Sequence, residues 1–156
     1  MIHIEDMTDK DIPCVSELQC ACHRFMAKRD GWTPEQLQSM MTDRGSLEVT
    51  KRLAKEEKFL VARDESVIVG VVAFKQNEID KLYVEPERHG EGTGRLLFQT
   101  VENMIREEGH DTISLCSFEG TVSFYKKMGM EVVGLKEITF GPLVGLTNTV
   151  LEKGLV

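Results

Sequence analysis

The 156-residue sequence contains no lysine and arginine cluster, and acidic residues outnumber basic ones, 26 to 19, for a net charge of −7. This balance argues against a nucleic-acid partner, because such binding depends on cations that neutralise phosphates. Long apolar runs are also missing. The longest uncharged stretch, 138–151, is broken by glycine, proline, threonine and asparagine, which argues against a membrane partner. The acidic N-terminal residues 1–6 resemble neither a secretion signal nor a transit peptide, so we expect a cytoplasmic protein.

Cysteine is too scarce for a disulfide framework, since only four are present in a domain of this size. The segment Cys20-x-Cys22-His23 raises the alternative of a metal site. Zinc pairs, however, are normally separated by two to four residues, and a second pair of ligands is missing. We therefore expect no metal, and ordinary half-buried cysteines on a helix.

The length and composition of the chain predict one domain over residues 1–156. Apolar residues make up 41% of the chain and charged residues 29%, which is typical of a globular protein. A chain of this length can bury about 70% of its unfolded surface, enough for a core without staples.

The first third of the chain is predicted to be helical after a short strand at 2–4. Thr8 to Asp11 forms a capping box before a helix that stops by Gly31. A second helix begins at Thr33 and ends near Asp43, and a third covers 46–57 with Leu47, Leu53 and Ala54 inward. The first helix should bury a stripe at three- and four-residue steps: Ile12, Val15, Leu18, Cys22, Phe25 and Met26.

From residue 58 the pattern becomes that of strands. Ile79 and Leu82 are three apart, so a β-bulge between them is needed if both face the core. The fold class is α/β (α+β), a sandwich around one mixed sheet. We predict strands at 59–62, 67–74, 78–84, 112–116, 130–135 and 146–152, with helices ending at Gly109 and spanning 119–128.

The most informative segment runs from 82 to 97, where a strand feeds a turn with glycines at positions 90, 92 and 94 and a helix begins at once. Glycines allow positive φ and let the backbone approach a ligand. Free amides at a helix N-terminus bind anions, so a phosphate or pyrophosphate is the expected occupant. Arg95 in the first turn supports an anion there, unless it simply points into solvent.

The common nucleotide-binding loops fit this segment badly. A Walker loop needs a lysine after its last glycine, and none follows here, which weighs against a nucleotide-dependent phosphotransferase. A dinucleotide fingerprint has the spacing G-x-G-x-x-G, whereas this loop has G-x-G-x-G.

The segment instead resembles the GNAT-type N-acetyltransferases. Their signature is a strand ending in a pattern like L-x-V-x-P, then Gln or Arg, two residues, and Gly-x-Gly or Gly-x-Ala opening a helix. Leu82, Val84, Pro86 and residues 89–94 match it, and the second family mark stands at 124–130 as F-Y-K-K-M-G-M. Two positions depart from the pattern. His89 replaces the glutamine or arginine, and 117–120 lacks an asparagine common in the family.

The resemblance implies a GNAT-like, mostly antiparallel sheet of about seven strands, flanked by helices and splayed at its centre. It implies acetyl-CoA as cosubstrate and direct transfer of the acetyl group to a primary amine. Tyr125 would protonate the departing thiolate and Glu78 would serve as base, with Asp80 as the alternative. Cys116 is a further candidate as nucleophile, but direct transfer needs no acyl-enzyme. The implied cofactor-binding residues are Leu82, Tyr83, Val84, His89, Gly90, Glu91, Gly92, Thr93, Gly94, Arg95 and Tyr125.

The acceptor is a small-molecule or protein amine, and the net negative charge weakly favours a cationic one. A homodimer stays open. A non-catalytic acyl-CoA sensor on the same fold is the alternative function, for which His89 leaves room. The acceptor wall is expected from the 138–146 turn and from the first helices, with Phe25, Asp30, Trp32, Met40 and Asp43 as candidates.

Overall fold

The computed structural model describes residues 1–139 and 141–155 as a mixed sheet with helices on both faces. Residue 140, within the predicted 138–146 turn, and residue 156, the end of the predicted domain, lie outside the described residues. In chain order the elements are β1 (Ile2–Asp6), α1 (Ile12–Asp30), α2 (Pro34–Met40), α3 (Leu47–Leu53), β2 (Lys58–Asp64), β3 (Val67–Lys75), β4 (Glu78–Val84), α4 (Thr93–Glu107), β5 (Thr112–Phe118), α5 (Glu119–Lys127), β6 (Glu131–Glu137) and β7 (Thr147–Gly154).

The seven strands lie in the order β1-β2-β3-β4-β5-β7-β6. Every neighbouring pair is antiparallel except β4 and β5, which run parallel. The connection between these two strands contains the glycine-rich segment and α4, as a parallel pair requires a crossover. The predicted fold class, a mostly antiparallel mixed sheet of about seven strands flanked by helices, is confirmed.

The two faces of the sheet bury separate apolar clusters. Along β2, Leu60 and Ala62 pack with α4, whereas Phe59 and Val61 pack with α1 and α3. This alternation follows from the two-residue period of a strand. The helices therefore form two layers that hold the sheet between them.

The predicted bulge in β4 is present. Ala73 pairs with Lys81 and Phe74 pairs with Ile79, so Asp80 is an extra residue without a partner in the register. Ile79 is buried in the α4 cluster, and Leu82 is partly buried against the same cluster. The bulge thus gives both apolar side chains the same face, and it displaces the polar Asp80.

The helix starts follow their capping signals. Thr8 donates its amide to Asp11 Oδ2 at 2.9 Å, and Thr33 Oγ1 accepts from the Gln36 amide at 3.1 Å. The second helix stops at Met40, earlier than predicted, because a wider turn follows at 41–45. Within the described residues, none of the helices has both the length and the apolar content needed to cross a membrane.

Two predicted core positions are wrong. Phe25 is 39% exposed, because its ring packs against His89 at the edge of a cavity and leaves the core. Leu47 is 41% exposed, because it is the first residue of the short α3, whose buried side is formed by Thr50 and Leu53. The predicted inward position of Leu53 is confirmed.

Candidate functional site

A cavity of about 570 Å³ opens where β4 and β5 separate. The two strands pair only at Glu78 with Ser114 and at Ile79 with Leu115. Beyond Ile79, their register contains no further pairs, and the space between them widens. This is the central splay that the resemblance to the GNAT family implied. The wall includes Cys22, Phe25, Met26, Arg29, Met40, Arg44, residues 78–84, His89, residues 115–118, Thr121, Tyr125, residues 136–139, Leu143 and Asn148.

The edge of β4 presents backbone groups to this opening. Glu85 donates its amide to the Val69 carbonyl of β3 at 2.9 Å. Because successive residues of a strand direct these groups to opposite sides, Tyr83 shares the orientation towards β3, whereas Leu82 and Val84 face the opening. Leu82 and Val84 are therefore placed to pair with an extended guest.

The glycine-rich turn forms the N-terminus of α4 at one end of this strand. Gly90 and Gly92 have φ of 85° and 88°, a left-handed conformation that side chains disfavour. The first bond of the helix runs from the Leu96 amide to the Gly92 carbonyl. Within the described residues, the amides of 90–95 donate no hydrogen bond. They form the free set of donors that the sequence predicted as an anion site.

The basic side chains around the turn differ in the hydrogen bonds and ion pairs that they make. Arg88 is held by Asp64 at 2.6 Å and by Glu91 at 2.9 Å, and is thus tied to the protein's own carboxylates. His89 Nε2 donates to the Val84 carbonyl at 2.9 Å. Arg95 is exposed and makes no ion pair within the described part of the chain, as expected for a solvated arginine or for one that awaits an anion.

Tyr125 lies on α5 with its ring in the cavity wall. The ring is 7% exposed and packs on Phe124 at 5.1 Å and on Phe98 at 6.2 Å between centroids. Phe118, at the start of the same helix, packs on Trp32. Burial raises the pKa of Tyr125, so its hydroxyl stays protonated at neutral pH. A neutral phenol of this kind is a proton donor.

Two carboxylates of β4 line the cavity in different states. Glu78 is exposed at the start of the strand and has no ion-pair partner among the described residues. Asp80, displaced by the bulge, accepts a hydrogen bond at Oδ1 from Arg44 Nη2 at 2.6 Å. Asp80 is therefore fixed in direction, whereas Glu78 is not.

A buried polar group lies beneath the strand. Tyr83 turns its hydroxyl towards His23 Nε2 at 3.1 Å, and burial raises the pKa of that hydroxyl. Burial and the cations Lys81 and Arg44 lower the pKa of His23 to about 3, so it is neutral. Lys81 donates to the Arg44 carbonyl at 2.9 Å, and burial lowers its pKa to about 8.

The cysteines do not converge. Cys20 contacts the Gly45 carbonyl, and Cys22 donates to the Val84 carbonyl at 3.3 Å, with burial raising its pKa to about 12. Among residues 1–139 and 141–155, no group of three or more His, Cys, Asp and Glu side chains has the arrangement of a metal site. Cys116 reaches the cavity wall, but burial and the charge of Glu78 raise its pKa, which makes the thiol a poor nucleophile.

The expected acceptor wall is brought together in part. Phe25 and Met40 line the cavity, as do Ile138, Thr139 and Leu143 of the predicted turn. The other three candidates lie elsewhere. Asp30 pairs with Arg29, Trp32 is buried against Phe118, and Asp43 accepts from Ser39. Sequence reasoning missed four cations of the wall, because nothing in the local pattern distinguishes them from solvated residues: Arg29, Arg44, Lys81 and Lys136.

Comparison with known families shows to which family the chain belongs. A model of the acetyltransferase (GNAT) domain matches residues 23–141, which is more than half of the chain and includes both β4 and the glycine-rich turn. The chain belongs to the GNAT acetyltransferase family. Among curated proteins, no sequence relative of this GNAT protein reaches significance.

Solved GNAT structures share the fold over nearly the full length. A GCN5-related N-acetyltransferase from Rhodopseudomonas palustris has a TM-score of 0.86 at 18% identity, covering 97% of this chain and 94% of that chain. The PaiA N-acetyltransferase from Thermoplasma acidophilum, solved with coenzyme A, has a TM-score of 0.78 at 22% identity and 99% coverage of both chains. Ard1 from Thermoplasma volcanium has a TM-score of 0.74 at 18% identity, with 99% and 98% covered.

Proposed function

We propose that this GNAT protein transfers the acetyl group of acetyl-CoA to a primary amine. One observation carries the proposal: His89, which directly precedes the free amides of 90–95, lines the same cavity as Tyr125 and the open edge of β4. An anion site, a backbone edge and a buried proton donor are the three features that an acyl thioester of a diphosphate carrier needs. The complex of the related PaiA enzyme with coenzyme A supports this choice of cosubstrate.

The diphosphate of coenzyme A would bind beside the cavity, at the N-terminus of α4. A Cβ built on Gly90 or Gly92 meets no atom within 4 Å, so the surface above these amides is open. Oriented amides and the helix dipole favour an anion there. The pantetheine would pair with the backbone of β4 at Leu82. At Val84 the carbonyl already accepts from His89 and from Cys22, so the guest would use the amide.

The acceptor amine would attack the acetyl carbonyl directly. An alkylamine has a pKa near 10 in water, so it must first lose a proton to a carboxylate, for which Glu78 and Asp80 are the candidates. The backbone amides at the edge of β4 would polarise the carbonyl as the tetrahedral intermediate forms. Tyr125, kept neutral by burial, would then protonate the departing thiolate.

The lining of the cavity bears on the acceptor. Four cations (Arg29, Arg44, Lys81 and Lys136) face three carboxylates (Glu78, Asp80 and Glu137) across the wall. The cavity lining is therefore not negatively charged, although the chain as a whole is. An acceptor that carries a carboxylate beside its amine suits this lining as well as a purely cationic amine does.

A thiol-release assay tests the proposal. Acetyl-CoA is incubated with a panel of small amines, amino acids, polyamines and peptides, and free coenzyme A is measured with a thiol reagent. Release that requires both protein and amine supports the transferase. One observation favours the alternative of an acyl-CoA sensor, namely that His89 occupies the Val84 carbonyl. Binding of coenzyme A without thiol release from any amine would support that sensor and refute the transferase.

A further inference from the structure

The bulge residue Asp80 lies beside a second carboxyl group to which sequence analysis gave no role. Glu57 follows α3, where its amide donates to the Leu53 carbonyl at 2.8 Å. Glu57 and Asp80 line the same small cavity. Asp80 Oδ2 and Glu57 Oε1 are both buried and have no partner among the described residues. Two carboxylates cannot hydrogen-bond to one another, but one shared proton satisfies both oxygens.

The surrounding charges place the uptake of one proton by the doubly charged pair near neutrality. Arg44 is bound to Asp80 Oδ1, and Lys81 and Arg44 both act on Glu57. Burial and the charge of Asp80 outweigh these cations and raise the pKa of Glu57 to about 7. Two further charged residues, Lys75 of β3 and Glu78 of β4, line the same small cavity as the pair.

The pair also separates two cavities. Asp80 lines the large cavity that we assign to acetyl transfer, and it lines a second cavity of about 210 Å³. Glu57 lines only the second one. A proton that reaches Asp80 from the first cavity can therefore leave through Glu57 into the second, without returning past the thioester.

We propose that Asp80 takes the proton from the ammonium group of the acceptor and that Glu57 is the positioning residue that shares this proton and passes it on. The inference rests on the proposed transferase function. In the step, the N–H bond of the ammonium breaks and an O–H bond forms within the pair. The pair changes from two negative charges to one, and the amine becomes neutral. Solvent in the second cavity then takes the proton and restores the pair.

The test compares Glu57→Gln with the control Glu56→Gln, whose side chain is exposed and lines neither cavity. Carboxyl ¹³C NMR of the free protein follows the titration of the pair. We expect a transition near pH 7 in the natural protein and in Glu56→Gln, and its loss in Glu57→Gln.

The kinetic readout is the pH profile of kcat/KM, measured with two acceptors of different amine pKa so that the limb due to the enzyme is recognised. Glu57→Gln should move the acid limb to lower pH by about one unit or more, since a like charge is removed. It should also lower the plateau about tenfold, a part of the 10²–10⁴ typical of general acid–base catalysis. Glu56→Gln should change neither.

Three results would overturn the inference. The absence of a carboxyl transition near neutrality shows that no proton is shared, whatever the activity. An unchanged acid limb in Glu57→Gln shows that the shared proton has no part in transfer. Loss of the limb in Glu78→Gln alone assigns the base to Glu78. Failure of every amine to release thiol refutes the transferase function instead, and the NMR titration still decides whether the pair exists.

Discussion

Replacing Gly92 by valine tests the anion site at its centre. Gly92 has φ of 88°, a conformation that costs an L-residue roughly 1–2 kcal/mol. A Cβ there meets no protein atom within 4 Å, so no clash adds to that strain. The free protein should therefore stay folded, since roughly 5–15 kcal/mol is the usual stability of a domain. The branched side chain would nevertheless occupy the space through which a diphosphate reaches the amides.

The expected loss of affinity follows from the hydrogen bonds removed. A bond to a charged group contributes about 1.5–3 kcal/mol. Losing one such contact to the diphosphate weakens binding by about 10- to 150-fold, and losing two weakens it further. We therefore expect the Kd for coenzyme A, measured by isothermal titration calorimetry, to rise by at least about tenfold.

Gly109→Val is the matched control. Gly109 follows the other end of α4 with φ of 94°, and a Cβ there also meets nothing within 4 Å. It carries the same backbone strain far from the proposed ligand, so its melting temperature should fall as in Gly92→Val while its affinity for coenzyme A is kept. Equal affinities in the two variants would mean that the amides of 90–95 do not hold the diphosphate.

Three further outcomes are expected. Tyr125→Phe should lower turnover by roughly 10²–10⁴ and leave the Kd for coenzyme A unchanged, because only the proton donor is lost; unreduced turnover contradicts that role. Since His23 has its pKa lowered from 6.5 to about 3, only the unfolded chain binds a proton between these values, and stability falls as pH falls through them. His23→Gln should flatten this dependence of the melting temperature, and a slope unchanged from the natural protein would contradict it. Gly70→Val should destabilise by about 1–3 kcal/mol in chemical denaturation, because its Cβ meets Leu97 Cδ1 at 2.9 Å. Gly134→Val, with open space, should not, and equal losses would refute the packing argument.

Much of the fold was predictable because local signals agreed with the tertiary structure. Thr33 and Gln36 cap α2 as their spacing indicated, and the three-residue step from Ile79 to Leu82 marked a real bulge. Phe25 shows where such reasoning ends. Its helical period matches the buried stripe, but the period cannot tell whether core or cavity lies opposite.

The candidate site also contains both features that the sequence predicts and contacts that only the folded chain creates. Alternating glycines directly before a helix indicate a turn with positive φ and unpaired amides, so the free amides of 90–95 were predictable. Arg44 is 36 residues from Asp80, and only the folded chain brings them into contact. Glu57 stands within the charged run 55–58, which is typical of a solvated surface, and its partner becomes visible only through the bulge.

The two-residue ladder between β4 and β5 has a consequence for tolerance to mutation. Beyond these two pairs, the backbone N–H and C=O groups of β4 have no partner on β5. Every residue except proline carries both groups. Replacing Leu82 or Val84 by another non-proline residue therefore changes the side chains that line the cavity but keeps the backbone hydrogen-bonding groups of β4. If the pantetheine pairs with the backbone of β4 as proposed, side chains at 82 and 84 can change over generations while the binding of the cofactor is kept.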